Sequence, residues 1–179
     1  MKLFFVRHGQ TPFASEHRLS GDNEGLSPAG VDEARRAAEK LKNELGGVGL
    51  DMIISSPRKR TLETAHTIAT TLGFDSTNIL HDERLIERDC TPYLGWLISD
   101  VFSKSEEELI ASGMESLDSL YARSKDFYDE LMTKDENSAV LLVGHSGNLA
   151  PLFYAARGLA FGAKTDVPDL ALDDVLRLK

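Results

Sequence analysis

Three segments of this 179-residue chain combine cationic or imidazole side chains with small residues. They are Arg7-His8-Gly9, Ser55 to Arg60 and Gly144-His145-Ser146. Guanidinium groups bind phosphate through paired hydrogen bonds, and glycine lets the backbone approach a ligand closely. Taken singly, the first segment fits an anion site and a solvated strand end equally well. The basic residues 58–60 fit a solvated turn as well as an anion site.

Each of these segments follows an apolar run that predicts a buried strand. The runs are Leu3 to Val6, Met52 to Ile54 and Ala139 to Val143. Short apolar runs that end in turn residues are typical of core strands, although periodicity alone does not separate them from buried helix. Two weaker strands are predicted at residues 78–80 and 175–178.

Segments with helical spacing separate the strands. Ser27 with Pro28 predicts a helix start, and Gly46-Gly47 predicts its end. Ser56 is predicted to cap a second helix that ends at Gly73. Later helices are predicted at the capping box of Ser105 and Glu108, at residues 117–131, and at 149–156 with Asn148 as the cap. Residues 12–25 are predicted to form a loop.

This alternation of strands and helices predicts an α/β fold around a mostly parallel, doubly wound sheet. Parallel strands end at the same edge of such a sheet, which is where ligands bind. The three segments should therefore meet there and bring two imidazoles together with at least two guanidiniums. The sequence predicts a phosphate pocket at that edge.

The composition and net charge of the chain disfavour several classes of function. The net charge is −9, from 29 acidic and 20 basic residues, which disfavours binding to nucleic acid or to an anionic membrane. The single cysteine, Cys90, excludes an internal disulfide and fits a reducing compartment. The apolar start is too short for a signal peptide, so a cytoplasmic location is expected. No two histidines have the spacing of helical or hairpin metal ligands.

Four sequence blocks resemble the histidine phosphatase superfamily, also called phosphoglycerate mutase-like. The blocks are RHGQT at 7–11, SSPRKRTLETA at 55–65, RLIER at 84–88 and VGHSGN at 143–148, and LSPAG at 26–30 is similar to the stretch that opens the first helix of that family. They follow the order of the family and span almost the whole chain. The resemblance implies a three-layer α/β/α sandwich and a single histidine phosphatase domain over residues 1–179.

The same resemblance implies a set of catalytic roles. His8 would be the nucleophile that accepts the phosphoryl group, and Arg7 and Arg60 would bind its oxygens. His145, as a cation, would share them. Glu87 would protonate the leaving oxygen and then deprotonate water, which requires a raised pKa, with Glu83 and Asp89 as close competitors. No metal or cofactor is implied. Arg58 and Lys59 are expected to be solvated.

Further contacts to the substrate are expected from Gln10, Thr11, Arg18, Ser20, Gly21 and Ser146. The family often has Trp-Asn after its first block, and here those positions are Phe13 and Ala14. Ser15, Arg18 or Ser20 could replace the missing asparagine. A second departure follows Glu87, where residues 89–96 read DCTPYLGW.

Residues 89–116 are irregular and are predicted to form a lid that determines specificity. Between Asp89 and Ala122 the only basic residue is Lys104, whereas Tyr93, Trp96 and Phe102 supply aromatic surface. The expected function is therefore hydrolysis of a small phosphorylated metabolite, by a monomer or homodimer. Mutase-type phosphoryl transfer and a regulatory module that binds phosphate with low turnover are the alternatives.

Overall fold

The computed structural model describes residues 1–134, 136–162 and 166–179. Within these ranges one five-stranded sheet forms from β1 (Lys2–Arg7), β2 (Met52–Ser55), β3 (Ile79–His81), β4 (Ala139–Gly144) and β5 (Leu176–Arg177). The strand order is β3-β2-β4-β1-β5. The first four strands are parallel, and β5 pairs antiparallel with β1 at the edge. The predicted mostly parallel α/β sheet is confirmed.

The helices within the described residues are α1 (Pro12–Ser15), α2 (Pro28–Leu45), α3 (Lys59–Leu72), α4 (Ile98–Phe102), α5 (Glu106–Ala111), α6 (Leu117–Leu131) and α7 (Ser146–Ala156). Short 3-10 turns occur at Ser76–Asn78, Glu83–Leu85 and Thr91–Tyr93. Ser27 caps α2 and Gly46 ends it in the left-handed conformation, as predicted. None of the described helices is long and apolar enough to cross a membrane.

Two apolar layers cover the faces of the sheet. On one face Phe4, Val6 and Leu141 pack against α2 and α3. On the other face Phe5 and Leu142 pack against α6 and α7. Because successive strand residues point to opposite faces, the all-apolar runs of β1 and β4 supply both layers. The result is the expected three-layer sandwich.

Helix α3 starts later than the sequence predicts, and the reason lies at Ser56. The Ser56 N–H donates to the Val143 carbonyl, so this residue continues the pairing of β2 with β4. Its hydroxyl lies 2.9 Å from His145 Nε2. Ser56 is therefore committed to the sheet and to the histidine, and the helix begins at Lys59 with Arg58 before it.

Two other helix predictions need correction. Helix α7 begins directly after β4, and Asn148 lies inside its first turn, where its Nδ2 donates to the Ile86 carbonyl. Residues 12–15 form α1 rather than loop, since the Thr11 side chain accepts from the Ala14 N–H and caps it. The first correction shifts the start of a helix, and the second adds a short helix. Neither changes the order of the predicted strands and helices.

Residues 89–116 carry α4 and α5 and have a small apolar cluster of their own. It consists of Cys90, Tyr93, Val101, Leu109 and Met114, with Leu19 packed against it. This cluster is separate from the two layers that cover the sheet. The segment therefore packs around an apolar cluster of its own, and its role as a lid stays a prediction.

Candidate active site

The carboxyl ends of β2, β4 and β1 lie side by side and bring the three predicted segments together. Arg7 is paired with Gly144, and Ser55 with Val143. The His8 N–H donates to the Gly144 carbonyl at 3.0 Å. The rings of His8 and His145 then meet edge to face, with 5.1 Å between their centroids. The two imidazoles thus lie in contact at this edge, as the strand pattern predicted.

The hydrogen bonds of His8 define its tautomer. Arg60 Nε donates to His8 Nε2 at 3.2 Å, and a guanidinium can only donate, so Nε2 carries a lone pair. On the other side of the ring, Nδ1 lies 2.8 Å from the Gly9 carbonyl, which can only accept. His8 is therefore neutral with its proton on Nδ1, and its unprotonated Nε2 is turned toward Arg60.

Burial determines the charge of both histidines. Loss of solvation, together with the charges of Arg60 and Arg7, lowers the pKa of His8 to about 3. The same burial, with His8 and Arg60 nearby, lowers the pKa of His145 well below its ordinary value. The expectation of a cationic His145 is therefore wrong for the free site, because a second buried charge beside Arg60 is too costly.

The guanidiniums at this edge are held in different ways. Arg60, in the first turn of α3, is only 3% exposed, and its Nη1 donates to the Gly21 carbonyl. Arg58 also lines the pocket and pairs with Asp22 at 2.7 Å, so it is less solvated than expected. Lys59 is not part of the pocket wall, and its ammonium group faces the Glu63 carboxylate.

Two buried polar atoms at the site lack hydrogen-bond partners among the described residues. They are Arg7 Nε and His145 Nδ1. Buried polar groups are nearly always satisfied, and an exception at a functional edge points to a missing ligand or water. An anion with several acceptor oxygens at this edge is the ligand that these groups favour.

Glu87 lies against the first turn of α7. Its carboxylate accepts from the N–H groups of Arg88 and Gly147, at 2.9 and 3.0 Å. Burial raises the pKa of Glu87, although these hydrogen bonds and the charges of Arg60 and Arg7 act in the opposite direction. The raised pKa agrees with the sequence expectation for an acid that must also act as a base.

Arg123 on α6 positions the segment that carries Glu87, and no sequence pattern indicated this role. Its guanidinium donates to the carbonyls of Arg84, Ile86 and Glu87 at 2.7 to 3.1 Å. It also forms a bidentate ion pair with the Glu115 carboxylate, with both hydrogen bonds at 2.8 Å. The backbone that presents Glu87 is thereby fixed to a helix far along the chain.

The pocket wall contains some of the predicted substrate-binding residues and not others. Arg18, Ser20 and Ser146 line the pocket, together with Arg7, His8, Arg60 and Glu87. The position of the missing asparagine, Ala14, is also in the wall. Ser15 is exposed and donates to the Pro12 carbonyl, so it does not replace that asparagine.

Gln10, Thr11 and Gly21 are not in that wall, which corrects their predicted placement. Gln10 accepts from the Ser27 hydroxyl, and Thr11 caps α1 and bonds to Ser20. The Gly21 carbonyl accepts from Arg60. Thr11 and Gly21 therefore support groups that line the pocket, whereas Gln10 bonds to the start of α2.

The described residues contain no group of three histidine, cysteine or acidic side chains arranged to hold a metal ion.

Gly147 is a further residue whose role the sequence did not indicate. A methyl group at its Cα would lie 2.1 Å from Glu87 Oε1. The space that Glu87 occupies therefore depends on glycine at this position.

An α/β sandwich with two contacting histidines, a buried Arg60 and a half-buried Glu87 defines a phosphate-handling enzyme class, and comparison with known proteins identifies it. Residues 3–169 match the histidine phosphatase superfamily (branch 1). The chain belongs to this superfamily. It is accordingly a histidine phosphatase in the broad sense, a phosphoric monoester hydrolase.

Individual relatives agree with this assignment. The chain is 30% identical over 169 residues to phosphoserine phosphatase 1 of Hydrogenobacter thermophilus, covering 89% of this chain and 77% of the relative. It is also 30% identical over 168 residues to phosphoglycerate mutase-like protein 4 of Arabidopsis thaliana, covering 87% and 71%.

Among solved structures, a mycobacterial glucosyl-3-phosphoglycerate phosphatase in complex with VO3 is similar to this chain. The TM-score is 0.72 at 27% identity, and the match covers 89% of this chain and 83% of that one. The named relatives include both phosphatases and mutase-like proteins.

Proposed function

We propose that this protein hydrolyses small phosphomonoesters through a phosphohistidine on His8. The observation that carries the proposal is the neutral His8 ring, whose Nε2 lone pair is held by Arg60 at the pocket wall. A neutral imidazole nitrogen can attack phosphorus without first losing a proton. Arg7, Arg60 and His145 then bind the phosphoryl oxygens, which supplies the positioning and charge stabilisation that phosphoryl transfer needs.

In the first step His8 Nε2 forms a bond to phosphorus while the bond to the ester oxygen breaks. Glu87, whose pKa is raised by burial, gives a proton to the leaving oxygen. The products of this step are an alcohol and a phosphohistidine. The Nδ1 proton stays on the ring and is donated to the Gly9 carbonyl, which stabilises the positive charge that develops on the imidazole.

In the second step a water molecule attacks the phosphohistidine. The Glu87 carboxylate takes one proton from that water, the bond between nitrogen and phosphorus breaks, and inorganic phosphate leaves. His8 returns to its neutral form and Glu87 to its protonated form. The two steps together consume one phosphomonoester and one water, and no metal or cofactor takes part in them.

The charges around the pocket favour hydrolysis over mutase-type transfer, which requires a place for a second anionic group. Arg88 is committed to Glu106 and to the Glu115 carbonyl. Arg58 is paired with Asp22, and Arg18 donates to the Gly95 carbonyl. Arg18 also pairs with Glu16. Among the arginines of the described wall, Arg7 and Arg60 are those without a carboxylate partner, so they can bind the transferred phosphoryl group and no unpaired arginine is left for a second anionic group.

Hydrolysis of p-nitrophenyl phosphate across pH 5–8, with the His8→Ala variant, tests the proposal. We expect turnover by the wild type and a loss of at least about 1,000-fold in kcat in the variant, because the nucleophile is gone. His66→Ala, which removes an exposed histidine from α3, is the matched control and should keep full activity.

Three outcomes would contradict the proposal. Near-wild-type turnover in His8→Ala would remove the nucleophile assignment. Interconversion of 2- and 3-phosphoglycerate that outpaces phosphate release would identify a mutase. A protein that binds phosphate without turning over any ester would match the regulatory alternative.

A further inference from the structure

A second cavity of about 530 Å³ adjoins the phosphate pocket. The two share six wall residues, which are Leu19, Glu87, Arg88, Cys90, Ile98 and Ser146. The rest of the cavity wall comes from the lid segment, from α6 and α7, and from residues 161–162. We refer to it as the side chamber. Because Glu87 belongs to both walls, the chamber opens at the position where the leaving oxygen must receive its proton.

The wall of the side chamber is mostly apolar. Its apolar side chains beyond the shared residues are Phe102, Leu117, Leu120, Ala150, Pro151, Tyr154 and Phe161. Leu120 and Pro151 are buried, while Phe102 lies at the rim with 51% of its surface exposed. Such a surface stabilises an apolar ligand by removing it from water and gives little to a charged one.

The charged groups in this wall are already neutralised. Among the described residues of the chamber wall, Arg88 is the basic one, and it is 7% exposed. Its guanidinium donates to the Glu106 carboxylate and to the Glu115 carbonyl. Glu87 is engaged by backbone N–H groups and is the acid of the proposed mechanism. A carboxylate or a second phosphate on the leaving group would therefore find no unpaired cation among the described residues of the chamber wall.

We propose that the side chamber binds the organic part of the substrate and that this part is an uncharged, apolar alcohol. The substrate class is then an alkyl or aryl phosphomonoester with no anionic group besides the phosphate. The inference rests on the proposed function and makes it more specific. The phosphoryl group binds between His8 and Arg60, the ester oxygen lies beside Glu87, and the carbon chain extends along α7 toward Phe102.

A series of straight-chain alkyl monophosphates from ethyl to octyl tests this class. Their alcohols are similar leaving groups, so differences in kcat/KM report binding in the chamber. Each added methylene that leaves water should raise kcat/KM by about fourfold until the chamber is filled. Butyl phosphate should exceed phosphoserine and 3-phosphoglycerate, which are similar in size but carry a carboxylate.

The Phe102→Ala variant links the effect to the chamber. We expect it to flatten the chain-length dependence and lower kcat/KM for octyl phosphate by about tenfold, mainly through KM, with little change for ethyl phosphate. Phe13→Ala removes another partly exposed phenylalanine that lines neither cavity, and it should leave the series unchanged. Because Phe102 is half exposed, its loss should not unfold the protein.

The outcomes separate this inference from the function on which it rests. If p-nitrophenyl phosphate and all alkyl esters remain unhydrolysed, the proposed function itself fails. If His8-dependent hydrolysis occurs but is flat with chain length, or favours phosphoserine over butyl phosphate, the phosphatase stands and the apolar substrate class is overturned. An unchanged series in Phe102→Ala would overturn the placement of the chain in the side chamber.

Discussion

The imidazole of His8 and the guanidinium of Arg60 are hydrogen-bonded to each other in the free site. Arg60 Nε donates to His8 Nε2, the nitrogen that must attack phosphorus. An incoming phosphoryl group offers three acceptor oxygens, so it can draw Arg60 away and free the lone pair of Nε2. Arg60 thus keeps His8 neutral and oriented before substrate binds, and it binds the substrate afterwards.

The role of Glu87 as proton donor can be tested by a single substitution. Glu87→Gln removes the proton donor, so hydrolysis of butyl phosphate should slow by about 100- to 10,000-fold. p-Nitrophenyl phosphate should lose far less in its first step, since p-nitrophenolate leaves without a proton. The measurement is the ratio of the two kcat/KM values in wild type and variant.

Glu83→Gln is the matched control, because Glu83 is exposed and lies four residues before Glu87 outside the pocket wall. It should leave both substrates unaffected. Equal losses on both substrates in Glu87→Gln would point to another acid, and a selective loss in Glu83→Gln would identify it.

At the scale of elements, the acid depends on two segments that approach each other in space. Helix α7 begins at Ser146 and turns its first N–H groups toward Glu87. Arg123 on α6 holds the carbonyls on either side of the same residue. The Glu87 segment has no strand or helix of its own, so these contacts from two helices determine where the carboxylate lies.

Gly147→Ala tests this arrangement at the helix terminus. The new methyl group would lie 2.1 Å from Glu87 Oε1, so the carboxylate must move. A displacement of about 1 Å at a reacting group can cost about 100-fold, and we expect a fall of that size in kcat for butyl phosphate. A smaller loss is expected for p-nitrophenyl phosphate, as for Glu87→Gln.

Gly49→Ala is the matched control, because a methyl group there meets no atom within 4 Å. Its kinetics should equal those of the wild type. If Gly147→Ala keeps full activity on butyl phosphate, the carboxylate position seen here is not the one used in catalysis.

At the scale of the whole molecule, the chain carries a net charge of −9 and yet gathers its buried cations at one edge of the sheet. The neighbouring histidines stay neutral as a consequence of that burial. The site therefore contributes to the pH dependence of folding as well as to activity. Cytoplasmic location and a monomeric or homodimeric state remain predictions.

Acidification should destabilise the fold between pH 7.5 and 5.5. Below pH 6.5 the unfolded chain protonates His8 and His145, whereas the folded chain keeps them neutral because their pKa values are lowered. Stability is therefore present above the unfolded pKa and is lost as the pH falls, by about 1.4 kcal/mol per histidine at pH 5.5. Glu87, with its raised pKa, offsets part of the loss.

Urea denaturation in phosphate-free buffer at the two pH values measures this effect. His8→Gln should reduce the pH-dependent loss of unfolding free energy by about 1.4 kcal/mol. His66→Gln, at an exposed position, should leave the loss at the wild-type value. Equal pH dependence in wild type and His8→Gln would show that His8 is not held neutral by burial.

The order of the elements and the edge of the sheet at which the site forms could be predicted from the sequence alone. Apolar runs, serine caps and terminal glycines are local signals, and the alternation of strands and helices requires parallel strands that end together. His8, Arg60 and His145 therefore come together as predicted, and the four sequence blocks identify the superfamily.

The charge of His145, the contacts of Gly147 and Arg123, and the apolar side chamber became evident only from the folded arrangement. Each depends on burial and on contacts between distant segments, such as Glu87 and Gly147, which are 60 residues apart. Local patterns report which face of an element is buried. They do not report which charges face each other across the fold, and those distances determine the pKa values and the shape of the site.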